Sequence, residues 1–211
     1  MNNELNTEHY QALQRAFDAA WPGPIGQPIL LEKGHLRLQV FPRDGARITS
    51  LQAFGFEVLR QWEPQRKAFQ YGCFPMVPWA GRLGDATLTV GEKQYVLPAN
   101  KPPHALHGMA CYSSWEIVEH KADTLKLRMT LGAPWPWQGE VLQTLTIEDD
   151  ALILRLEIHT LSGTFPASAG WHPWFAKRLD QQNEQEQLQV LFDADWQEEA
   201  GNNELPTGKK I

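Results

Sequence analysis

Three histidines lie in irregular local sequence of the kind that presents side chains to a ligand. His104 and His107 occur in NKPPHALHGM, after a double proline and before a glycine, and His172 occurs in SAGWHPWF, between bulky rings and a proline. Proline and glycine mark irregular backbone at strand ends, where binding residues are common. Because imidazole exchanges protons near neutral pH, each is a candidate acid or base. The alternative for each is a satisfied structural histidine.

Arg82 is a fourth candidate, in the Trp- and Pro-rich segment FPMVPWAGRLGD. A guanidinium in such a loop holds hydroxyl oxygens with its fixed fork of N–H donors. The alternative is a structural salt bridge to Asp85 or to another carboxylate.

Other chemistries find less support in the motifs. His104, His107 and His172 could together form a three-imidazole zinc site. However, two prolines precede His104 and a glycine follows His107, so the side chains of these two histidines need not face the same way. No GxSxG elbow for a serine nucleophile occurs, and neither GxGxxG nor a P-loop is present to hold phosphates. We therefore expect no metal and no nucleotide cofactor.

Composition excludes several classes of partner. The 211 residues carry 19 Lys and Arg against 25 Asp and Glu, a net charge of −6 without a basic segment, so nucleic acid is not an expected partner. Apolar runs fall short of the roughly 18 residues that a membrane helix needs. The N-terminus MNNELNTEHY lacks the features of a secretory signal, which predicts a cytoplasmic location. Cys73 and Cys111 are expected to be ordinary reduced thiols.

Hydrophobic periodicity predicts one helix followed by strands. Tyr10, Leu13 and Phe17 have helical spacing, which predicts a short amphipathic helix over residues 8–20. From residue 36 onwards the period is two, as in half-buried strands. The predicted strands cover residues 36–40, 87–90, 95–97, 115–118, 125–131, 145–147, 152–158 and 188–192. Such a series predicts antiparallel sheets in a sandwich or barrel, with a helix and linker over 1–27 and one domain over 28–211.

Four motifs, in this order, resemble the aldose 1-epimerase (galactose mutarotase) family. They are FPMVPWAGRLGDATLTVGEKQYVLPANKPPHALHG, PWPWQGEVLQTLTI, GWHPWF and LPTGK. The resemblance runs from GARITSL at residues 45–51 to the last residues, and its most specific anchors are PWxxR, LHG and GxHPxF. It implies an antiparallel β-sandwich of the galactose mutarotase-like supersandwich type. It also implies interconversion of the α and β anomers of a free aldose without any cofactor.

The resemblance also implies roles for individual residues. Opening a pyranose ring requires a proton for the ring oxygen and removal of a proton from the anomeric hydroxyl, and imidazole suits such chemistry near neutral pH. By resemblance, His172 donates the proton to the ring oxygen, and His107 binds the sugar and stabilises charge near that oxygen. Arg82 holds ring hydroxyls. Trp174, or else Trp79 or Trp171, could stack on an apolar sugar face, although each ring could equally belong to the core.

The chain also departs from the family pattern. Gly81 stands where the family has Asn, Met109 replaces the second glycine of the histidine motif, and Trp174 replaces a tyrosine. The carboxylate base of the family lies beyond the LPTG motif, close to which this sequence ends. The nearby carboxylates are expected to belong to an exposed acidic loop rather than to replace that base. They are Asp193, Asp195, Glu198 and Glu199.

Three hypotheses follow from these observations. The first is an aldose 1-epimerase-like isomerase acting on a neutral hexose, either as part of a longer protein or as a shortened paralogue. The second is a noncatalytic carbohydrate-binding protein that lacks the base. The third is a structural β-domain whose aromatic loops only fill the core.

Overall fold

The protein is built almost entirely from short antiparallel strands. The computed structural model describes residues 23–180, 185, 187–191 and 193–210, so the helix predicted over residues 8–20 lies outside the described residues. Within them the strands are β1 (Ile29–Lys33), β2 (Leu36–Phe41), β3 (Arg47–Ala53), β4 (Phe56–Glu57), β5 (Cys73–Met76), β6 (Arg82–Leu83), β7 (Thr87–Val90), β8 (Lys93–Val96), β9 (Ala105–Leu106), β10 (Glu116–His120), β11 (Thr124–Leu131), β12 (Gly139–Ile147), β13 (Leu152–Thr160), β14 (Gly170–Pro173), β15 (Glu198–Ala200) and β16 (Pro206–Lys210). Three short 3-10 turns cover Ala68–Gln70, Gly84–Ala86 and Ala110–Tyr112.

Two larger sheets form the body of the fold. The first has the strand order β1-β2-β3-β5-β14, with β4 added beside β3, and the second has the order β10-β11-β12-β13. Three two-stranded ribbons, β6–β9, β7–β8 and β15–β16, complete the strand pairing of the described residues. All of these strand pairs are antiparallel, which confirms the predicted all-β antiparallel sandwich.

The core lies between the two larger sheets because their strands alternate apolar and polar residues. On β2, Leu38 is buried while Arg37 is exposed, as the period of two requires. On β12 the inward residues include Val141 and Leu145, both fully buried. Buried side chains from both sheets belong to a single hydrophobic cluster. Burial of this apolar surface is the main favourable contribution to folding.

One polar side chain ties the second sheet to the first. Gln143 on β12 is fully buried and donates a hydrogen bond from Nε2 to the carbonyl of Ala46, at 3.1 Å. Its Oε1 accepts a hydrogen bond from Nε1 of Trp171 on β14, also at 3.1 Å. Because a buried amide must be satisfied, these bonds fix the position of β14 relative to β12.

Most strands expected from periodicity are present, and one is not. The predicted pairs at 87–97 and 145–158 form the hairpins β7–β8 and β12–β13, and the predicted strands at 36–40 and 125–131 lie within β2 and β11. The strand predicted over residues 188–192 is wrong for its described part, because residues 187–191 form no strand. The N–H of Leu188 instead bonds to the carbonyl of Lys177 at 2.9 Å, and Val190 and Leu191 are exposed. Alternation without a buried face to pack on does not make a strand.

Two further expectations concern the chain as a whole. No helix within the described ranges is long and apolar enough to cross a membrane. The assignment of residues 28–211 to one domain stays a prediction.

Candidate functional site

A tight turn after β9 presents His107. Both His107 and Gly108 have left-handed backbone, with φ of +60° and +68°. A Cβ on Gly108 would lie 2.0 Å from the carbonyl oxygen of Val77, so this position accepts only glycine. Left-handed backbone is costly for a residue with a side chain, and such strain tends to accumulate at functional sites.

The His107 ring is held in one orientation by the backbone of Gly81. Its Nδ1 accepts a hydrogen bond from the Gly81 N–H at 3.2 Å, while the His107 N–H donates to the Gly81 carbonyl at 2.9 Å. Nδ1 is therefore an acceptor, and in neutral imidazole the proton lies on Nε2. The ring is half-buried and presents Nε2–H as its remaining donor.

His172 is positioned by the pairing of β14 with β5. It lies directly opposite Phe74, and the two rings stack with centroids 4.9 Å apart and planes 15° from parallel. The ring also stacks with Trp174, at 5.4 Å and 23°. Its Nδ1 is buried and has no hydrogen-bond partner among the residues described. Ring contacts with Phe74 and Trp174 therefore hold the imidazole.

The two histidines meet at the site. Their ring centroids are 5.2 Å apart and their planes meet at 75°, an edge-to-face arrangement. His107 comes from the turn after β9 and His172 from β14, so the contact joins residues far apart in sequence. The fold thus places two imidazoles within reach of one small molecule.

Arg82 begins the ribbon that carries His107, because Arg82 on β6 pairs with Leu106 on β9. Its guanidinium forms an ion pair with Glu204, from the loop between β15 and β16, and not with Asp85. Its Nε is buried without a partner among the described residues. The guanidinium lies near enough to lower the pKa of His107, and it already contacts one carboxylate.

Burial favours the neutral form of both imidazoles. Burial lowers the pKa of His107 to about 4, and the nearby His172 and Arg82 add to this shift. Burial also lowers the pKa of His172 from its ordinary value; its own backbone opposes this shift, and the charge of Arg47 adds to it. A neutral imidazole carries one donor and one acceptor, the pair of groups that proton transfer with hydroxyls needs.

His104 lies apart from the pair in its contacts. It is buried, and its Nδ1 accepts a hydrogen bond from the N–H of Asp85 at 3.1 Å. No group of three His, Cys, Asp or Glu side chains suited to a metal occurs in the part of the chain described. Cys73 and Cys111 are free and buried, and burial raises the pKa of Cys73 to about 12, so its thiol stays protonated.

The three candidate tryptophans differ in their surroundings. Trp79 is buried and stacks on Trp135 at 5.8 Å, which places it in the core. Trp171 is half-buried and hydrogen-bonded to Gln143. Trp174 is half-buried and stacks on His172. The guanidinium carbon of Arg60 lies over its ring, 5.4 Å from the ring centroid.

The carboxylates near the C-terminus lie mostly at the surface. Asp193, Asp195 and Glu198 are exposed, and Glu199 bonds to Thr207 and Lys209 within its own hairpin. Sequence reasoning missed Glu204, which contacts Arg82, although it directly precedes the LPTGK motif, because its partner lies 122 residues away in sequence. It also missed Phe74, whose place beside His172 follows from cross-strand register rather than from local sequence.

Comparison with known proteins identifies the family. The family model for aldose 1-epimerase matches residues 27–211, so the chain belongs to the aldose 1-epimerase family. The uncharacterized protein YphB of Escherichia coli (strain K12) is 28% identical over 151 residues, which cover 69% of this chain and 50% of YphB.

Solved structures agree with this assignment. A putative aldose 1-epimerase from Escherichia coli K12 is 27% identical with a TM-score of 0.64, covering 71% of this chain and 52% of that one. A galactose mutarotase-like protein from Clostridium acetobutylicum is 20% identical with a TM-score of 0.78, covering 87% and 61%. The second likeness supports the fold alone. The chain spans about half the length of YphB and of the Escherichia coli structure.

The lowered pKa of His107 predicts a stability that depends on pH. At pH values between the ordinary pKa of 6.5 and the folded-state pKa of about 4, His107 is protonated in the unfolded chain but neutral in the folded protein. The free energy of unfolding should therefore fall as pH is lowered through this window, with a contribution approaching ~1.4 kcal/mol per pH unit. Urea unfolding at pH 7 and pH 4.5 should show a smaller loss for His107→Gln than for the wild type. An equal loss in both proteins would contradict the assignment.

Proposed function

We propose that the site binds a free hexose and interconverts its α and β anomers by acid–base ring opening. The observation that carries this proposal is the edge-to-face contact of two imidazoles, with ring centroids 5.2 Å apart and the Arg82 guanidinium near enough to act on the pKa of His107. Membership of the aldose 1-epimerase family supports the same reaction class.

The two histidines have different tasks in this proposal. His107 has its Nδ1 occupied by the Gly81 N–H, so it can offer the sugar only Nε2–H, which suits a hydrogen bond to the ring oxygen. His172 has no such restriction at its outer nitrogen and is assigned to proton transfer with the ring oxygen. Because burial favours the neutral form of both rings, His172 must first take up a proton from solvent and become imidazolium. It then gives this proton to the ring oxygen as the bond from the anomeric carbon to that oxygen breaks, and the proton of the anomeric hydroxyl passes to water; ring closure reverses both transfers.

Arg82 is assigned to the sugar hydroxyls. Its guanidinium supplies several planar donors, and the carboxylate of Glu204 offsets its positive charge. An offset charge favours a neutral sugar over a phosphorylated one, because a phosphate would meet both the arginine and the carboxylate. Trp174 already contacts His172 and Arg60, so we assign its ring to supporting the imidazole rather than to stacking on sugar.

The second candidate function is carbohydrate binding without turnover. It is favoured by the position of the C-terminal carboxylates, since Asp193, Asp195 and Glu198 are exposed and Glu199 bonds within its own hairpin. A cytoplasmic location stays a prediction from the N-terminal sequence.

Sugar binding can be followed by tryptophan fluorescence, because Trp174 stacks on His172. Titration with galactose and glucose should give a saturable response in the wild type. His172→Asn and Arg82→Met should each weaken it about tenfold, the cost of one lost hydrogen bond to a charged or buried group. Arg37→Met is the matched control, because Arg37 is exposed and pairs with Glu32 away from the site. No response up to high millimolar sugar would contradict both candidate functions.

Measuring the rate of exchange between anomers separates the isomerase from the carbohydrate-binding protein. NMR exchange spectroscopy on α- and β-galactose should show acceleration over buffer that His172→Asn abolishes. Saturable binding without acceleration would instead support the carbohydrate-binding protein.

Removal of the Glu204 carboxylate should free Arg82 for the sugar. Glu204→Gln is expected to tighten galactose binding about two- to fivefold, the range of an exposed ion pair. Glu199→Gln is the matched control, because Glu199 bonds to Thr207 and Lys209 in the same hairpin and not to Arg82. Weaker binding in Glu204→Gln would show that the carboxylate contributes directly to sugar binding, contrary to this account.

A further inference from the structure

A continuous series of stacked groups passes through His172. The guanidinium carbon of Arg47 lies 4.8 Å from the ring centroid of Phe74, and Phe74 stacks on His172 at 4.9 Å. His172 stacks on Trp174 at 5.4 Å, and the guanidinium carbon of Arg60 lies 5.4 Å from the Trp174 ring centroid. We call these five residues the stacked series. It has the imidazole in the middle and one cation at each end.

Arg47 forms the buried end of the stacked series. Its side chain is 1% exposed and its Nε donates to Oδ2 of Asp44 at 3.1 Å. A second N–H donates to the carbonyl of Tyr71 at 3.2 Å, and the Tyr71 hydroxyl donates to the same Asp44 oxygen at 2.9 Å. The guanidinium also lies 4.5 Å from the Tyr71 ring centroid. These contacts leave the guanidinium one position against Phe74.

Stability alone does not account for this buried ion pair. Desolvation of two charges is expensive, and replacing such a pair by apolar residues of similar size is often neutral or stabilising. One Asp44 oxygen, Oδ1, is buried without a partner among the described residues, which adds to the cost. Arg47 is therefore costly to bury, and it contacts Phe74, whose ring stacks on His172. This position indicates that Arg47 serves the site and not stability alone.

Arg60 forms the outer end and is tied to β14 through the backbone. Its N–H donates to the Trp174 carbonyl at 2.7 Å, and its own carbonyl accepts from Gly72 at 2.9 Å. The Trp174 N–H in turn donates to the Gly72 carbonyl at 2.8 Å. These bonds hold the half-buried Arg60 beside Trp174, within the distance at which a guanidinium is attracted to an indole face.

We propose that Arg47 and Arg60 are positioning residues that hold the His172 imidazole in its working orientation from the two ends of the stacked series. The proposal rests on the proposed function, in which His172 transfers the proton. Each guanidinium fixes an aromatic ring by cation–π contact, and the two rings together limit rotation of the imidazole, whose Nδ1 has no hydrogen bond from the described residues to orient it.

The same arrangement disfavours a charge on His172. The cationic or titratable groups around it are Arg47 on β3, Arg60 after β4, and His107 with Arg82 on the β6–β9 ribbon. The Asp44 carboxylate lies beyond Arg47 and is engaged by it. Loss of Arg47 removes a positive charge and should therefore make protonation of His172 easier. Loss of either arginine should also loosen the ring and expose it to water, which acts in the same direction.

Arg60→Met is the principal test, because Arg60 lies outside the buried core. Urea unfolding should match the wild type, while the His172 ring resonances should titrate at higher pH and galactose affinity should fall about three- to tenfold. Arg60→Lys keeps a cation beside the Trp174 ring but loses the planar stack, so its titration and its affinity should both lie between those of the wild type and of Arg60→Met. Arg37→Met, on the outer face of β2, is the matched control and should change neither readout.

The double variant Asp44→Leu with Arg47→Met tests the buried end without leaving a lone charge in the core. It should fold, titrate His172 at higher pH and bind galactose at least tenfold more weakly. Folded variants at both ends with wild-type His172 titration and wild-type affinity would overturn the proposal. If the wild type itself binds no sugar, the proposed function fails, and the His172 titration alone then decides whether the arginines hold the imidazole.

Discussion

The edge-to-face contact between His107 and His172 depends on two constraints of the backbone. One is the left-handed turn at His107 and Gly108, which the close approach of Val77 reserves for glycine at the second position. The other is the antiparallel pairing of β14 with β5, which sets His172 opposite Phe74. A shift of β14 by one residue would turn His172 to the other face of the sheet. Gln143 opposes such a shift, because it bonds both to Trp171 on β14 and to the backbone at Ala46.

The surroundings of this contact determine its chemistry more than the residue types do. Imidazole ordinarily titrates near pH 6.5, but burial and the neighbouring cations lower the pKa of both rings. The neutral forms suit hydrogen bonding to a neutral hydroxyl-rich ligand. They suit a phosphate less well, and the carboxylate of Glu204 beside Arg82 acts in the same direction. These features support the proposal of an uncharged sugar rather than a phosphorylated one.

Periodicity predicted much of the fold but could not predict the site's supports. Alternation identified β2, β11 and β12 because each buries one face, and β13 because its alternate apolar residues are half-buried. It failed at residues 188–191, where the same alternation has no buried face. The short strands β5, β6, β9 and β14 carry the site, yet two to four residues are too few to show a period.

Motif resemblance singled out His107, His172 and Arg82, and the fold brings them together. It assigned no role to Phe74, Arg47, Arg60 or Glu204, because their contacts depend on register and on residues far apart in sequence. Arg47 is a charged residue inside a strand, which sequence rules assign to the surface, but it is buried against Asp44 and Tyr71.

The central claim is that the two imidazoles together bind a closed sugar ring. Its most direct test is the chemical shifts of the histidine ring nuclei during titration with galactose, compared with galactitol, which has similar hydroxyls but cannot close a ring. The account predicts that His107 and His172 resonances move together and saturate with galactose, while galactitol leaves them in place. Unchanged resonances with galactose, or equal changes with both compounds, would contradict it.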